Sequence, residues 1–159
     1  DRTITLMAPS KTFNIPGLSC AFAVISNPKL RRRFTMAMAG IVPHVNTLGY
    51  TAALAAFSKG WQWLESLIVY LRANRDRVAE RIGRISGLSA APVEASYLTW
   101  IDTRRIGLED PAGFFEDAGV GLSDGRDFDG AGFVRLNFGC RRQLLDLALD
   151  RMETALAAR

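Results

Sequence analysis

The chain has 159 residues, of which 48% are hydrophobic and 23% are charged. This balance is typical of a globular domain and excludes a disordered or fibrous protein. The net charge of +4 is modest, and the one arginine cluster, residues 31–33, is interpreted as a solvated helical face, so nucleic acid is not expected as a partner. No apolar run is long enough to span a membrane, so a membrane is not expected as a partner either.

The first elements are two predicted strands with a polar connection between them. Residues 3–7 and 20–26 are short, apolar and partly β-branched, as strands are. The intervening residues are rich in Pro, Ser, Asn and Gly and predict an irregular loop. Lys11 lies in this loop, with no acidic residue in the ten that follow it. An unpaired lysine held near apolar walls tends to lose its proton, and the neutral amine can attack a carbonyl.

Helical patterns follow. Residues 28–58 predict two helices, interrupted at Gly40, Pro43 and Gly49. After Gly60, apolar residues recur at spacings of three and four, which predicts one long amphipathic helix ending at Gly87. The aromatic residues around its start are interpreted as core anchors of the helices: Phe57, Trp61 and Trp63. Residues 89–96 are interpreted as a linker.

The last third of the chain predicts a strand at 96–102, a short helix at 111–119, a strand at 132–139 and a final helix at 141–158. Arg135 lies inside the second of these strands, where a charge is unfavourable without a dedicated partner. A guanidinium offers two parallel donors that match a carboxylate. From the residues alone, a carboxylate-binding arginine and an edge-strand arginine facing water are equally good interpretations.

Residues 10–28, SKTFNIPGLSCAFAVISNP, resemble the Schiff-base segment of fold-type-I pyridoxal-phosphate enzymes. Within the aminotransferase superfamily the segment is most similar to the cystathionine β-lyase branch, the PatB- or MalY-type carbon–sulfur lyases. The similarity continues through PHVNTLGYTAALAAF, GWQWLESLIVYL and FVRLNFGC, and so covers essentially the whole chain.

The resemblance implies an α/β fold, the carboxyl-terminal part of a fold-type-I pyridoxal-phosphate-dependent transferase. Residues 1–58 would be the end of the large cofactor-binding domain, residues 59–87 a bridging helix and residues 88–159 the small carboxyl-terminal domain. It also implies a homodimer with sites built between subunits. We expect the chain to be a piece of a longer protein, and to bind cofactor poorly and turn over little by itself.

The resemblance assigns Lys11 as the catalytic lysine that carries pyridoxal 5'-phosphate and later moves the Cα proton. Ser10 is expected to hydrogen-bond the cofactor phosphate, although a serine that only shapes the turn is an equal alternative. Arg135 would bind the substrate carboxylate, and Tyr50 would approach the site of the neighbouring subunit. Related enzymes often carry a serine and an arginine for the phosphate where this chain has Ala8 and Ser19.

The implied reaction removes a thiol from a sulfur-containing amino acid and leaves pyruvate and ammonia. A class I/II aminotransferase uses the same lysine and arginine and stays open as an alternative, as does a chain with only a structural or dimer-forming role.

Asn14 is interpreted as a turn former and His44, the only histidine, as a structural loop residue. Cys20 and Cys140 lie far apart without metal-site spacing, so we expect no metal site, no disulfide framework and a reducing cytoplasm.

Overall fold

The computed structural model describes residues 2–159. It divides into two compact units, the first ending at Leu67 and the second running from Ile68 to Arg159. The division predicted from the sequence, into segments 1–58, 59–87 and 88–159, stays a prediction. In the part of the chain that is described, no helix is both long and apolar enough to cross a membrane.

The first unit contains a two-stranded antiparallel sheet and three complete helices. The predicted strands are confirmed as β1 and β2, which pair from Thr5 with Val24 to Met7 with Phe22. The elements in chain order are β1 (Thr5–Met7), α1 (Pro9–Thr12), a 3₁₀ turn (Pro16–Leu18), β2 (Phe22–Val24), α2 (Pro28–Met38) and α3 (Thr47–Lys59).

The connection between β1 and β2 is not irregular, so that prediction was wrong. It contains α1 and the 3₁₀ turn, each of which begins with a proline, Pro9 and Pro16. Proline is suited to a first helical position because its fixed φ is helical and the N–H it lacks would have no partner there.

Both predicted helices between residues 28 and 58 are confirmed. Each begins at an asparagine whose side chain accepts hydrogen bonds from the first turn, as helix caps do. Asn27 accepts from the backbone N–H of Lys29, and Asn46 accepts from that of Gly49 at 2.8 Å. The arginine cluster 31–33 is exposed on α2, as expected.

Phe13, directly after α1, is the buried aromatic of the first unit, with 6% of its surface exposed. Its ring meets those of Phe57 and Trp61 edge to face, at 5.5 and 6.0 Å between centroids. The interpretation of Phe57, Trp61 and Trp63 as core anchors was wrong, because they are 42%, 55% and 47% exposed. The first two cover Phe13 with their edges and turn the rest of their surface outward.

The second unit is a four-stranded antiparallel sheet packed with helices. Its elements are the long helix α4 (Trp61–Arg84), which begins in the first unit, then β3 (Ser89–Ala90), β4 (Leu98–Asp102), α5 (Pro111–Asp117), β5 (Ser123–Asp124), β6 (Phe133–Asn137) and α6 (Arg142–Ala157). The sheet order is β3-β4-β6-β5. The long helix, both five-residue strands and the last two helices were predicted. β3, inside the predicted linker, and β5 were missed because two residues carry no periodicity.

The core of the second unit lies between the sheet and its helices. Val78 and Ile82 of α4, Val134 of β6, and Leu149 and Met152 of α6 are all between 0% and 1% exposed. One face of the sheet is thereby covered, and the side chains of the opposite face are available for other contacts.

Candidate functional site

Lys11 is the third residue of α1, and its side chain is exposed. Pro9 and Phe13 lie one helical turn apart and are both buried, so the position midway between them faces outward. The sequence placed Lys11 near apolar walls, and this was wrong. Within residues 2–159, no carboxylate pairs with its amine, which leaves a primary amine available to react with an aldehyde.

The segment after Lys11 is held against the start of α3. The side-chain amide of Asn46 donates to the carbonyl of Leu18 at 3.4 Å. A side chain at Gly49 would place its Cβ 2.5 Å from the same carbonyl oxygen, so only glycine permits this approach. Asn14 has a left-handed φ of 54°, which confirms it as a turn former. The lysine segment is therefore braced by contacts of its own unit.

The residues next to Lys11 offer few contacts for a phosphate. Ser10 is half-buried and Thr12 is exposed, so a hydroxyl flanks Lys11 on each side in sequence. Ala8 and Ser19, at the positions where related enzymes often grip phosphate, are both exposed and uncharged. This set fits covalent attachment of an aldehyde cofactor through the amine, with a neighbouring hydroxyl such as that of Ser10 for its phosphate.

Tyr50 lies in the first turn of α3 and is 61% exposed. It lines a cavity of about 380 Å³ together with His44, Met38 and Val42, and Lys11 is not among the lining residues. His44 is exposed in the connection between α2 and α3. Among residues 2–159, no group of three His, Cys, Asp or Glu side chains could hold a metal ion.

Arg135 lies in the middle of β6, which has a neighbouring strand on each side. It is opposite Trp100 of β4 and Ser123 of β5. The edge-strand alternative is therefore wrong. The side chains of β6 alternate between the two faces of the sheet: Val134 and Leu136 are buried in the core, whereas Arg135 is half-buried on the opposite face.

The guanidinium of Arg135 has two contacts in the second unit. One terminal N–H group donates to Ser123 Oγ at 3.0 Å. The guanidinium carbon lies 4.3 Å from the centre of the Phe128 ring, a cation–π geometry. No carboxylate of the described residues forms an ion pair with it. A half-buried, unpaired guanidinium on a rigid strand is suited to a carboxylate ligand.

Two other arginines of the second unit are already paired. Arg104 donates to both carboxylate oxygens of Asp102, at 3.0 and 2.7 Å, and this lowers the pKa of Asp102 from 3.8 to about 2. Arg126 binds Asp124 and, at 2.9 Å, Asp110. Arg135 is thus the exception among these three.

Sequence reasoning did not find Ser123 or Phe128. Both reach Arg135 through strand register and a turn, which a single sequence does not display. The only signal was an aromatic residue inside the glycine- and aspartate-rich stretch DGRDFDG. The candidate residues also divide between the units: Ser10, Lys11 and Tyr50 lie in the first unit and Arg135 in the second.

The sequence model of the family described as aminotransferase class I and II matches residues 1–152. Among curated proteins, the chain is 33% identical to cystathionine β-lyase PatB of Bacillus subtilis, over 99% of this chain and 42% of that protein. The chain therefore spans about two fifths of the length of such relatives.

Two solved structures are similar to this chain over 99% of its length. The structure of OvoB is 54% identical with a TM-score of 0.97, covering 99% of this chain and 42% of that one. Cystalysin of Treponema denticola, which contains a pyridoxal 5'-phosphate cofactor, is 32% identical with a TM-score of 0.91, over 99% of this chain and 42% of that one. The expected fold class is confirmed: the chain has the α/β fold of part of a fold-type-I transferase.

Proposed function

Because the chain belongs to the class I and II aminotransferase family, we propose that the protein containing it is a pyridoxal-phosphate-dependent carbon–sulfur lyase of the cystathionine β-lyase type. The 33% identity to PatB over 99% of the chain supports the lyase branch. The main structural support for the proposal is that Arg135 lies on a central strand and forms no ion pair with a carboxylate of residues 2–159.

Two residues of the first unit are proposed to hold the cofactor. Pyridoxal phosphate, when bound, supplies a ring that accepts the electrons left at Cα when a substrate bond breaks. The Lys11 amine binds the cofactor aldehyde covalently, and the exposed, unpaired side chain supports this role. The hydroxyl of Ser10 donates a hydrogen bond to the phosphate. When its amine is free, Lys11 Nζ would take the proton from Cα as general base.

Arg135 is proposed to bind the α-carboxylate of the amino-acid substrate. Its planar guanidinium can donate two parallel hydrogen bonds to a carboxylate, and these fix both the position and the orientation of the substrate Cα. Tyr50 is proposed to contact substrate in the neighbouring subunit of a homodimer, and its 61% exposure supports a role at a surface.

The substrate proposed for this site is an amino acid with sulfur on Cβ, such as cystathionine or another cysteine conjugate. Loss of the Cα proton to Lys11 is followed by cleavage of the Cβ–S bond. The sulfur leaves as a thiolate and takes up a proton, and water hydrolyses the remaining three-carbon unit to pyruvate and ammonia.

For the whole protein we propose a cytoplasmic homodimer. Residues 1–58 would be the end of its large domain, residues 59–87 the bridging helix and residues 88–159 the small domain. Cys20 and Cys140 are both free thiols, which is compatible with a reducing compartment.

The proposal is tested in the full-length protein loaded with pyridoxal phosphate, with cystathionine as substrate and with pyruvate and thiol measured separately. Lys11→Ala is expected to lower kcat by about 1,000-fold, within the range of a lost general base. Arg135→Lys is expected to lower kcat/KM by roughly 10- to 100-fold, since a single ammonium replaces the bidentate fork. Lys59→Ala and Arg72→Lys, at exposed positions, are the matched controls.

Equal release of pyruvate and thiol, lost in both site variants and kept in both controls, supports the lyase. Release of a keto acid only when an amino acceptor is added would instead indicate an aminotransferase. Activity that survives Lys11→Ala would overturn the assignment of the lysine.

The 159-residue chain by itself is proposed to hold the cofactor weakly, since neither Ala8 nor Ser19 offers a charged group to its phosphate. An absorbance titration with pyridoxal phosphate, followed by borohydride reduction and peptide mass analysis, should show little adduct at Lys11. A strong yellow band that disappears in Lys11→Ala would contradict this expectation.

A further inference from the structure

Phe128 is 48% exposed, yet the turn that carries it is held rigidly. The backbone N–H of Gly130 donates to the carbonyl of Gly125 at 2.8 Å, and that of Phe133 donates to the carbonyl of Gly130 at 3.1 Å. A Cβ at Gly125 would lie 2.2 Å from the Gly130 oxygen, so the two ends of the turn are packed backbone to backbone. A side chain that positions a functional group needs rigid support of this kind.

Side chains brace the same turn from both sides. Arg126 binds Asp124 through its backbone N–H at 2.8 Å and reaches Asp110 with its guanidinium at 2.9 Å. On the other side, Gly130 packs on Trp100, where an added Cβ would lie 2.5 Å from the indole ring. The Phe128 ring also meets Trp100 edge to face at 6.0 Å. The ring is therefore fixed relative to the sheet.

The fixed ring determines how Arg135 is presented. The centre of the Phe128 ring lies 4.3 Å from the guanidinium carbon, and Ser123 accepts from one terminal nitrogen. The remaining N–H groups have no partner among residues 2–159. Contact with the fixed ring limits the movement of the guanidinium without using any of its donors. The remaining donors therefore stay available to a ligand.

We infer that Phe128 is a positioning residue, which orients the guanidinium of Arg135 to receive a carboxylate in two-point contact. This inference rests on the proposed function, in which Arg135 binds the substrate carboxylate. Phe128 acts through Arg135. Without the ring, the guanidinium would move more freely and bind a carboxylate less often through two hydrogen bonds.

The chain contains a matched control for this inference. Arg142 lies 5.1 Å from the centre of the Tyr70 ring, which is a second arginine–aromatic contact in this unit. Nε of Arg142 donates to Asn74 Oδ1 at 3.2 Å, so this guanidinium already has a partner inside the protein. Removing the Tyr70 ring should therefore perturb packing without changing how a substrate carboxylate is bound.

The experiment compares Phe128→Leu, Phe128→Tyr and Tyr70→Leu in the full-length enzyme loaded with pyridoxal phosphate. Steady-state kinetics with cystathionine give kcat and KM. Calorimetric titration with methylthiopropionate, a carboxylate that has no amine to react with the cofactor, gives a binding constant independent of turnover. Its amide serves as the uncharged probe.

We expect Phe128→Leu to raise KM and to weaken methylthiopropionate binding by about fivefold each, with kcat changed less than about twofold. Phe128→Tyr keeps a ring and should restore both constants. Tyr70→Leu should leave both unchanged, and binding of the amide should not distinguish the variants. A fall in kcat alone in Phe128→Leu, or an equal rise of KM in Tyr70→Leu, would overturn the inference.

Arg135→Lys separates the two ways in which the result could fail. If Arg135→Lys does not weaken methylthiopropionate binding, the proposed role of Arg135 is wrong and the inference about Phe128 falls with it. If Arg135→Lys weakens binding and Phe128→Leu does not, only the positioning role is wrong.

Discussion

The side-chain amide of Asn74 donates a hydrogen bond of 2.9 Å to the backbone carbonyl of Phe138, 64 residues further along the chain. The same amide donates to the carbonyl of Cys140 at 3.1 Å, and its oxygen accepts from Arg142 Nε at 3.2 Å. Asn74 is completely buried. One asparagine of α4 thus provides hydrogen-bond donors for two backbone carbonyls in the connection between β6 and α6.

Asn74→Leu should destabilise the protein strongly, because the leucine fits the volume but leaves two carbonyls without their donor. We expect a loss of about 3 kcal/mol in the free energy of unfolding, measured in urea. Asn137→Ala is the control: Asn137 is exposed and accepts only from the N–H of Gly139, so its loss should be about 1 kcal/mol or less. Equal losses in the two variants would contradict a special role for Asn74.

Arg81 joins α4 to α6 by binding both Asp150 at 2.6 Å and Glu153 at 2.8 Å, and only 18% of its side chain is exposed. Arg81→Met should lower the free energy of unfolding by about 1 kcal/mol, and by less in concentrated salt, because salt screens the pairs that are lost. Arg84→Met is the comparison, since Arg84 is 68% exposed and pairs only with Glu80 one turn away. Its effect should be about 0.4 kcal/mol.

Asp102 should make stability depend on pH in the acid range. Hydrogen bonds from Arg104 lower the pKa of Asp102 from 3.8 to about 2, so the folded state favours the ionised carboxylate. The stabilisation is complete above about pH 4 and disappears as the pH falls through about 2. Asp102→Asn should cost about 1 kcal/mol at neutral pH, less than the full shift implies because the exposed Arg104 is screened by solvent.

Urea unfolding of wild type and Asp102→Asn between pH 7 and pH 3 is the measurement, with the difference shrinking as the pH falls. Glu109→Gln, an exposed acid without a bonded partner among residues 2–159, should show no such trend. A difference that grows toward low pH would have the wrong sign and would reject the ion pair as its cause.

Gly130 is required by its contact with Trp100. In Gly130→Ala the added Cβ would lie 2.5 Å from the indole ring, so either the ring or the turn must move. We expect a loss of about 2 kcal/mol in stability and a change in tryptophan fluorescence. Gly121→Ala adds the same methyl group where nothing lies within 4 Å, and its effect should be small. If Gly130→Ala leaves the free energy of unfolding unchanged, the turn can move away from Trp100 at little cost and the glycine is not required.

The order and type of the longer elements could be predicted from the sequence. α4 and α6 have clear helical periodicity, and the residues around Arg135 predicted the strand that contains it. These signals are local, because burial of one face repeats at fixed intervals along the chain. The segment around Lys11 also identified the family, which the match over residues 1–152 confirms. The roles of Lys11, Ser10, Arg135 and Tyr50 stay predictions.

The surroundings of those residues could not be predicted in the same way. Polar composition suggested a loop at Lys11, whereas Pro9 and Pro16 each begin a short helix. In the first of these helices Pro9 faces inward, as does Phe13 directly after it, while Lys11 faces outward. Composition does not indicate which side of so short a helix will be buried.

The sequence by itself determined where the helices and long strands lie and which residue types are available for chemistry. Only the tertiary structure decided that β6 is a central strand, that Ser123 lies opposite Arg135 and that Phe128 covers its guanidinium. Strand order and register depend on pairing between residues far apart in the chain. No local pattern contains that information, so the environment of Arg135 emerged only when the sheet was assembled.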